Sequence, residues 1–492
     1  MTAIAAMMDE LPEPQLSGKG DGKGENMRWF FRVSSSVIFA TVCMASAAAE
    51  SPLARDAEES LERATRYFVS EVSAHGGYLW WYSEDLKERA GEGKATETQI
   101  WVQPPGTPSV GFAFLRAYRV AGNEVFLNAA KGAADALVWG QLASGGWQYK
   151  IDFDPVGSRQ WYFRRDKEKG EPQGKRKNYS IFDDNTTQSA LRFLMAMDEA
   201  TGRKGAYHDA VEYGLDLMLR SQFPNGAWPQ VYPPPSEGYW NYYTFNDNAM
   251  NDCIAVMLDA FRIYKDGRYL ASAKKCGDFI VASQLPSPQS GWAQQYDHDM
   301  KPAPARWFEP AACCSATTIG NIRTLIELHL ETGEEKYLKP IPAAFDWLNR
   351  SKLRENLWAR FYELETNRPI YVTSDRKVVY ERVNLRPGYS WFGDYGHSKV
   401  AHMYENVTAL GRDKYIERRN RPLSAEEKHQ RIRRLEAHAR DVISAQDAKW
   451  RWVENGRIET STFIRNAGIL CDYLEMMKET GRNSRSGKAV PD

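Results

Sequence analysis

Three acidic residues stand shortly before apolar helical segments, at comparable places along the chain. Asp184 comes before TTQSALRFLMAMDEA, Asp247 before AMNDCIAVMLDAF, and Glu309 before CSATTIGNIRTLIEL. Side-chain oxygens at such positions cap helix starts and stabilise them by about 1 kcal/mol each. Carboxylates that converge on one place also bind a hard cation such as Ca²⁺, which takes several oxygen ligands. The pattern is open to both interpretations, and one residue can do both.

The elements that must position these acids form a repeat. A turn that carries a tryptophan recurs as GGWQYK, NGAWPQVY and SGWAQQYD, and each is followed by an apolar helical segment. Glycine next to a helix end favours the left-handed conformation that closes the helix. Such a glycine follows helical segments at Gly122, Gly202, Gly267, Gly333, Gly411 and Gly481.

This repeat of helix, Trp turn, helix and Gly turn predicts an all-α fold. Units of two helices stack into a solenoid or close into a ring, and one domain with a pocket at one rim favours an α/α toroid with long irregular loops. The segment 351–400, which contains PIYVTSD and KVVYERV, is predicted to be an insertion with a small hairpin. In a toroid, the three acids would lie around one mouth.

Composition limits the classes of partner. Lys+Arg and Asp+Glu both number 64, so the formal net charge is zero, which argues against a general nucleic-acid binder. No membrane partner is predicted, and a monomer is expected. The chain has 16 Trp and 25 Tyr, residues that suit sugar rings and helical cores alike. Cys253 is expected in the core, and cysteine pairing is left open.

Longer motifs resemble those of family 10 polysaccharide lyases, the pectate lyases with an α/α toroid. The resemblance runs in order through nearly the whole chain after the first 50 residues. It implies an enzyme that cleaves polygalacturonate, or a related uronate polysaccharide, by β-elimination with calcium. The motifs are IFDDNTTQSALRFLMAMDEATG, SQFPNGAWPQVYP, YYTFNDNAMNDCIAVML, ARWFEP and LWARFYELETNRPIYVTSD.

The resemblance implies roles for the acidic motifs. It assigns the Asp-Asn pair of the family to Asp184 and Asn185, with Asp183 as the alternative, and the second acid to Asp247. Asp184 and Asp247 are the implied calcium ligands, and Asp184 also belongs to the implied catalytic group. Asn185 and Asn246 are expected to contact the substrate.

The reaction chemistry indicates what else the site needs. Removal of the galacturonate C5 proton builds negative charge on the adjacent carboxylate, so cations must face that group. The family uses one arginine as base and a second to grip the carboxylate; Arg306 of ARWFEP is the predicted base and Arg386 of LRPGYSW the predicted clamp. Arginine holds its proton at ordinary pH, so a base role requires nearby cations and a dry site. Arg360 is predicted to pair with Glu363 or Glu365, or else to exchange roles with Arg386.

The aromatic residues are open to two interpretations. Trp147, Trp228 and Trp292 sit in the repeat turns and are predicted mainly to pack turn against helix, with Trp228 also a candidate for substrate contact. Tyr389 and Trp391, in the insertion, are the better candidates for stacking on sugar rings.

Two other functions fit the same scaffold. One is an α/α-toroid glycoside hydrolase acting on uronate-containing oligosaccharides through two carboxyl groups; it would need no calcium and would release no unsaturated product. The other is a sugar-binding toroid without catalytic activity.

The N-terminal region predicts export. From Met27 the chain reads MRWFFRVSSSVIFATVCMASAAAE, in which a basic start and an apolar run lead to small residues, as in a signal peptide. We expect residues 1–49 to be an extension and signal peptide, with Met27 the better candidate for the start. Residues 50–482 are the predicted catalytic domain, and residues 483–492 a disordered tail.

We predict a mature protein that begins between Ala47 and Ser51 and is secreted or periplasmic. N-terminal sequencing of the protein recovered outside the inner membrane checks this. A soluble intracellular species with Met1 intact would contradict it.

Overall fold

The computed structural model describes residues 51–486, with side chains to residue 480. The predicted extension and signal peptide, including Met27, lie outside the described residues, and so does the end of the predicted tail. The last helix continues to Ser486, into the first residues of that tail. Within the described range, no helix has both the length and the apolar character needed to span a membrane.

Helices build most of the described chain, in consecutive pairs joined by turns or long loops. They are α1 Pro52–Tyr67, α2 Thr107–Ala121, α3 Glu124–Gly140, α4 Arg164–Glu168, α5 Thr186–Ala200, α6 Ala206–Arg220, α7 Ala249–Tyr264, α8 Gly267–Ala282, α9 Ser315–Thr332, α10 Ile341–Arg350, α11 His397–Leu410, α12 Arg412–Asn420, α13 Ala425–Ser444 and α14 Thr460–Ser486.

Burial separates an inner set of helices from an outer set. Helix α5 buries almost its whole circumference, from Thr186 to Asp198, whereas α13 buries only the narrow stripe that includes Leu435, Ala439 and Val442. A helix that is apolar all round belongs in the interior, and one with a single apolar stripe lies outside. The inner helices pack side by side in the order α14, α2, α5, α7, α9 and α11, and α13 and α14 also pack on α1. The predicted α/α toroid is confirmed.

Short strands line the loops at one end of the helices. A five-stranded antiparallel sheet has the order β14-β13-β12-β10-β8, and β1 pairs with β17 near the two ends of the described chain. The predicted hairpin in the insertion is present as β12–β13, extended by β14. The strands are β1 Trp81–Ser83, β2 Arg89–Ala90, β3 Gln99–Trp101, β4 Lys150–Asp152, β5 Ser180–Ile181, β6 Val231–Tyr232, β7 Tyr243–Thr244, β8 Trp292–Ala293, β9 Gln295–Tyr296, β10 Cys313–Cys314, β11 Trp358–Ala359, β12 Phe361–Tyr362, β13 Pro369–Val372, β14 Val378–Val379, β15 Phe392–Gly393, β16 Val453–Glu454 and β17 Arg457–Glu459.

An equivalent hydrogen bond joins each Trp turn to the helix before it. The indole N–H of Trp147 donates to the carbonyl of Leu137 at 2.8 Å, in the last turn of α3. Carbonyls in the last turn of a helix have no partner within that helix, so the indole satisfies one of them. Equivalent bonds join Trp228 to Met218, Trp292 to Ile280, Trp358 to Leu348 and Trp452 to Val442. The packing role predicted for the turn tryptophans is confirmed.

The glycine turns follow the prediction in part. Gly122 and Gly333 end α2 and α9 in the left-handed conformation, with φ of 75° at both. Gly267 does not: it begins α8, and Lys265 takes the left-handed position after α7 instead. Cys253 lies in the core as predicted, and the five cysteines of the described chain are buried and free.

Candidate active site at two acidic turns

Two turns with the same backbone conformation carry the first two acidic motifs. In each, a short strand and a phenylalanine lead to two consecutive left-handed residues, Asp184 and Asn185 in one turn and Asp247 and Asn248 in the other, with φ between 46° and 61°. The left-handed region disfavours most side chains, and Asp and Asn are among the few that enter it at modest cost. The sequence Asp-Asn therefore fits this turn for a conformational reason.

Helix capping does not explain these acids. Asn185 and Asn248 occupy the cap positions of α5 and α7, and neither makes a side-chain cap hydrogen bond. Asp184 and Asp247 lie one residue earlier. The capping interpretation of the sequence is therefore wrong for both turns, which leaves ion or substrate binding.

The two turns bring three carboxylates together. One carboxylate oxygen each from Asp183, Asp184 and Asp247 lies within 4.8 Å of the others. Gln230 donates to Asp183 Oδ2 at 2.7 Å and Tyr149 does so at 3.3 Å. Burial, followed by the charge of Asp247, raises the pKa of the Asp183 carboxyl; burial and the Asp183 charge raise the pKa of Asp184. Like charges held this close disfavour ionisation of all three carboxyl groups, and a bound cation would favour it.

Buried oxygens without a partner point into the same region. Asp183 Oδ1, Asn185 Oδ1 and Asn246 Oδ1 are buried, and no group of the described chain donates to them. Buried polar atoms in native proteins are nearly always satisfied, so these oxygens are open to water or to a bound ion. The donor set is all oxygen, which suits Ca²⁺ and does not suit zinc. The residues thus fit the implied calcium ion, with Asp183 included beside Asp184.

Glu309, the third acid, pairs with Arg306 and is not part of the acidic cluster. Arg306 donates to it through Nε at 2.9 Å and through Nη2 at 2.6 Å, and Tyr389 donates to Glu309 Oε1 at 3.1 Å. Arg306 Nη2 also lies 3.5 Å from Asp247 Oδ2. The predicted base is therefore beside the acidic cluster, held in a bidentate fork.

The charges of this group stabilise one another. Burial alone would lower the pKa of Arg306, but the carboxylate of Glu309, and then that of Asp247, outweighs it and the pKa is raised. Burial alone would raise the pKa of Glu309. The charge and the hydrogen bonds of Arg306 outweigh burial and hold that pKa below its usual range. In this state Arg306 is firmly protonated.

Arg360 is the second arginine that reaches the acidic turns. It lines the same cleft as Asp247, its guanidinium lies 4.7 Å from the ring centre of Tyr389, and Nη2 is 3.5 Å from Gln294 Oε1. Its Nε is buried without a hydrogen-bond partner. Among the described residues, no carboxylate forms an ion pair with Arg360, so its charge is available to a ligand.

The predicted pairing of Arg360 with Glu363 or Glu365 is wrong. Glu363 accepts hydrogen bonds from Tyr380 at 2.7 Å and from Thr366. Strand β12 begins at Phe361 and separates the arginine from these acids, because successive side chains of a strand point to opposite faces.

The comparison with protein families decides the identity. The chain matches the family model of the pectic acid lyases over residues 141–356 and 354–400, which together cover more than half of its length. It belongs to this family. The protein is therefore a polysaccharide lyase, and the acidic turns, Arg306 and Arg360 all lie within the matched region.

Solved structures are similar to this lyase only in part. A family 10 polysaccharide lyase mutant from Cellvibrio cellulosa, in complex with trigalacturonic acid, has 23% identity over 61% of this chain and 98% of its own, with a TM-score of 0.46. Another structure of that family from the same organism has 24% identity over 57% and 91%, with a TM-score of 0.45. A GH76 α-mannanase from Bacteroides thetaiotaomicron has 9% identity over 88% and 98%, with a TM-score of 0.42. No curated protein matches the chain.

Two residues predicted to contact substrate are buried in the lyase. Trp228 is fully buried in the core. Trp391 is only 4% exposed and donates its indole N–H to the carbonyl of Arg386. Neither ring has a free face for a sugar, so the substrate-binding roles predicted for them do not fit the structure.

The remaining predicted residues are divided between the site and its support. Asn246 donates to Asp247 Oδ2 at 2.8 Å, and Tyr389 reaches Glu309, so both belong to the site. Arg386, the predicted clamp, is 8% exposed and stacks on Phe308 at 3.7 Å. It does not line the cleft that contains Asp247 and Arg360.

Two nearby residues escaped the sequence analysis. Trp307, next to Arg306, is 39% exposed, and the guanidinium of Arg376 lies 5.1 Å from its ring centre. Its position in the motif ARWFEP could have identified it from the sequence. Glu92 comes from the loop between β2 and β3, outside the matched region. Burial raises the pKa of Glu92; the charge of Arg306 lowers it and the charge of Asp247 raises it further. Glu92 therefore faces the same cluster.

We predict that Asp184→Asn stabilises the calcium-free protein while inactivating it. The substitution removes one of three mutually repelling carboxylates, and asparagine tolerates the left-handed backbone. The free energy of unfolding should rise by about 1 kcal/mol, and turnover should fall at least about 100-fold.

Denaturant unfolding and product formation measure the two effects. Asp299→Asn, at an exposed turn position, is the control and should change neither quantity. A loss of stability together with activity would instead mean that Asp184 supports the fold.

Proposed function

We propose that this lyase is an exported pectate lyase that cleaves polygalacturonate, or a related uronate polysaccharide, by calcium-assisted β-elimination with an arginine base. One observation carries the proposal. Three carboxylates converge beside an arginine that is held in a fork, and the same two turns carry two unsatisfied amide oxygens. This group combines a hard-cation site with positive side chains, as proton removal next to a carboxylate requires.

Asp183, Asp184 and Asp247 would hold the calcium ion, with Asn185 and Asn246 offering further oxygens. When bound, the ion supplies positive charge to the substrate carboxylate and offsets the charge of Asp247. Gln230 orients Asp183 through its 2.7 Å hydrogen bond. The two left-handed turns fix the remaining ligands, so the chain provides a preformed site.

Arg306 remains our candidate for the base. Glu309 engages its Nε and Nη2, while Nη1 makes no hydrogen bond within the described chain. The side chain is 40% exposed and can therefore approach the C5 proton. Because Glu309 and Asp247 favour the charged form, Arg306 can act as a base only when positive charge nearby counters them.

Arg360 replaces Arg386 as our candidate for the clamp on the substrate carboxylate. It lines the cleft beside Asp247 and lacks an ion-pair partner in the described chain, whereas Arg386 is buried against Phe308. A guanidinium without a carboxylate partner binds a carboxylate ligand through two parallel hydrogen bonds. Arg360 would thus stabilise the charge that develops when the C5 proton leaves.

The hydrolase alternative fits this geometry poorly. A glycosidase holds its two carboxyl groups on opposite sides of the scissile bond, with room for a sugar between them. Here the three carboxylates crowd within 4.8 Å, and Glu309 is neutralised by Arg306. Glu92 also faces this cluster, so a hydrolase would depend on Glu92 as its separated carboxyl group.

We predict an eliminative product that depends on calcium. Purified protein with polygalacturonate should generate ultraviolet-absorbing unsaturated uronate, and a chelator should reduce the rate at least about 100-fold, since it removes the charge that stabilises the intermediate. Added calcium should restore the rate. Reducing sugar released without absorbance would support a hydrolase, and a rate unaffected by chelator would exclude the calcium role.

We predict that two lysine substitutions separate the base from the clamp. Arg306→Lys should bind oligogalacturonate nearly normally, while turnover falls at least about 100-fold, the scale of positioned proton transfer. Arg360→Lys should weaken binding about tenfold, because a compact ammonium cannot form the bidentate contact. Arg386→Lys, at the buried stacking position, should leave affinity unchanged.

Turnover and oligosaccharide affinity of the three variants test the assignment. If Arg386→Lys weakened binding and Arg360→Lys did not, the clamp would be Arg386. Near-normal turnover of Arg306→Lys would exclude Arg306 as the base.

A further inference from the structure

A deep cleft extends from the acidic turns between helices α9 and α11. Its volume is about 950 Å³. At one end lie Asp247, Asn248 and Arg360, and at the other lie Arg418 and Arg419 of α12. The candidate active site is therefore one end of a longer cavity.

Helix geometry gives the cleft a minimum length. Lining residues on α9 run from Ala316 to Arg323, and those on α11 run from Lys399 to Asn406. Seven residues of α-helix span about 10 Å, and α12 extends the wall further. The cleft therefore has room for more of a ligand than the one sugar at the acidic turns.

The cleft is strongly basic, although the whole chain is neutral. Its lining includes five cationic side chains and a single acidic one, Asp247. A cleft lined by one sign of charge concentrates ligands of the opposite sign. The cations are Arg323, Arg360, Lys399, Arg418 and Arg419.

Two of these cations form no close ion pair with a carboxylate of the described chain, although the charge of Arg323 acts on the buried carboxyl of Asp252 and lowers its pKa against the larger effect of burial. Arg323 makes no ion pair there, and Arg418 donates to the neutral amide of Asn406 at 3.3 Å. Arg419, by contrast, lies 3.5 Å from Glu327. Arg323 and Arg418 are both exposed to solvent in the cleft, so an anionic ligand can reach them.

The far wall of the cleft does not come from the family motifs. The match to the pectic acid lyase model ends at residue 400, whereas most of α11 and all of α12 follow it. Tyr395 and Tyr415 also line the cleft, and such rings offer apolar faces to a sugar. Arg418 and Arg419 of α12 therefore lie outside the matched region, whereas Arg323 and Lys399 lie within it.

We propose that this basic cleft is an additional subsite, in which Arg323 and Arg418 bind the carboxylates of uronate residues beyond the one at Asp247 and Arg360. The inference rests on the proposed function, because it takes the ligand to be a polyuronate. The subsite would make the lyase favour long oligomers with free carboxylates, since each added charge-assisted contact strengthens binding.

The test is a comparison of ligand length in the double variant Arg323→Gln/Arg418→Gln. Calorimetry with calcium at low salt should show that the Kd for hexagalacturonate rises about tenfold or more, because two charge-assisted contacts are lost. The Kd for digalacturonate should change less than about twofold, because the catalytic end of the cleft is intact. Lys414→Gln, at an exposed position of α12 that does not line the cleft, should match the wild type.

The outcomes separate this inference from the proposed function. If the double variant binds hexagalacturonate like the wild type while the wild type still forms unsaturated product, the subsite is overturned and the function stands. If the wild type forms no unsaturated product but its hexagalacturonate affinity depends on Arg323 and Arg418, the subsite stands and the function falls. A wild type that does not bind hexagalacturonate would overturn both.

Discussion

The indole hydrogen bond from each turn tryptophan to the preceding helix is the contact on which the rest of the molecule depends. It satisfies a carbonyl that the helix end leaves open, and it fixes where the chain goes next. The backbone N–H of Trp147 donates a hydrogen bond to the hydroxyl of Thr187 at 3.1 Å. Thr187 lies two residues after Asn185. From the turn of Trp228, Gln230 reaches Asp183. The acidic turns are therefore tied by hydrogen bonds to the same Trp turns that the buried indoles fix in place.

The sequence predicted the repeat, the toroid and the location of the acidic turns, because periodic apolar segments and turn motifs are local signals. It could not distinguish Asp183 from Asp184, since both fall in one turn and only the left-handed backbone shows that each carboxylate reaches the cluster. The choice between Arg360 and Arg386 depended on how a long irregular insertion folds, which periodicity does not encode. Glu92 was missed because its loop has the composition of an exposed turn, and the contact arises from packing between distant parts of the chain.

The candidate site is held together at the expense of local stability. Four left-handed residues and three adjacent carboxylates are each unfavourable alone, and strained backbone at a ligand site persists only where its surroundings enforce it. Here the enforcement comes from short antiparallel pairings just before the turns, β5 with β6 and β7 with β9, and from the helices that begin just after them. Arg306 is shared between Glu309 and Asp247, so it offsets only part of the negative charge of the acidic cluster.

Contacts between the two ends of the described chain join its first helices to its last. Strand β1 pairs with β17, and Thr460 donates to the carbonyl of Leu79 across 381 residues of sequence. The helical pairs are local and can form early, whereas this junction must wait for the whole chain because the entropy of closing so large a loop has to be overcome. Folding of this lyase should therefore end, and unfolding begin, at the seam between α1, α2 and α14. The same proximity of the ends makes the molecule topologically suited to circular permutation, with new termini in an exposed loop between two helical pairs.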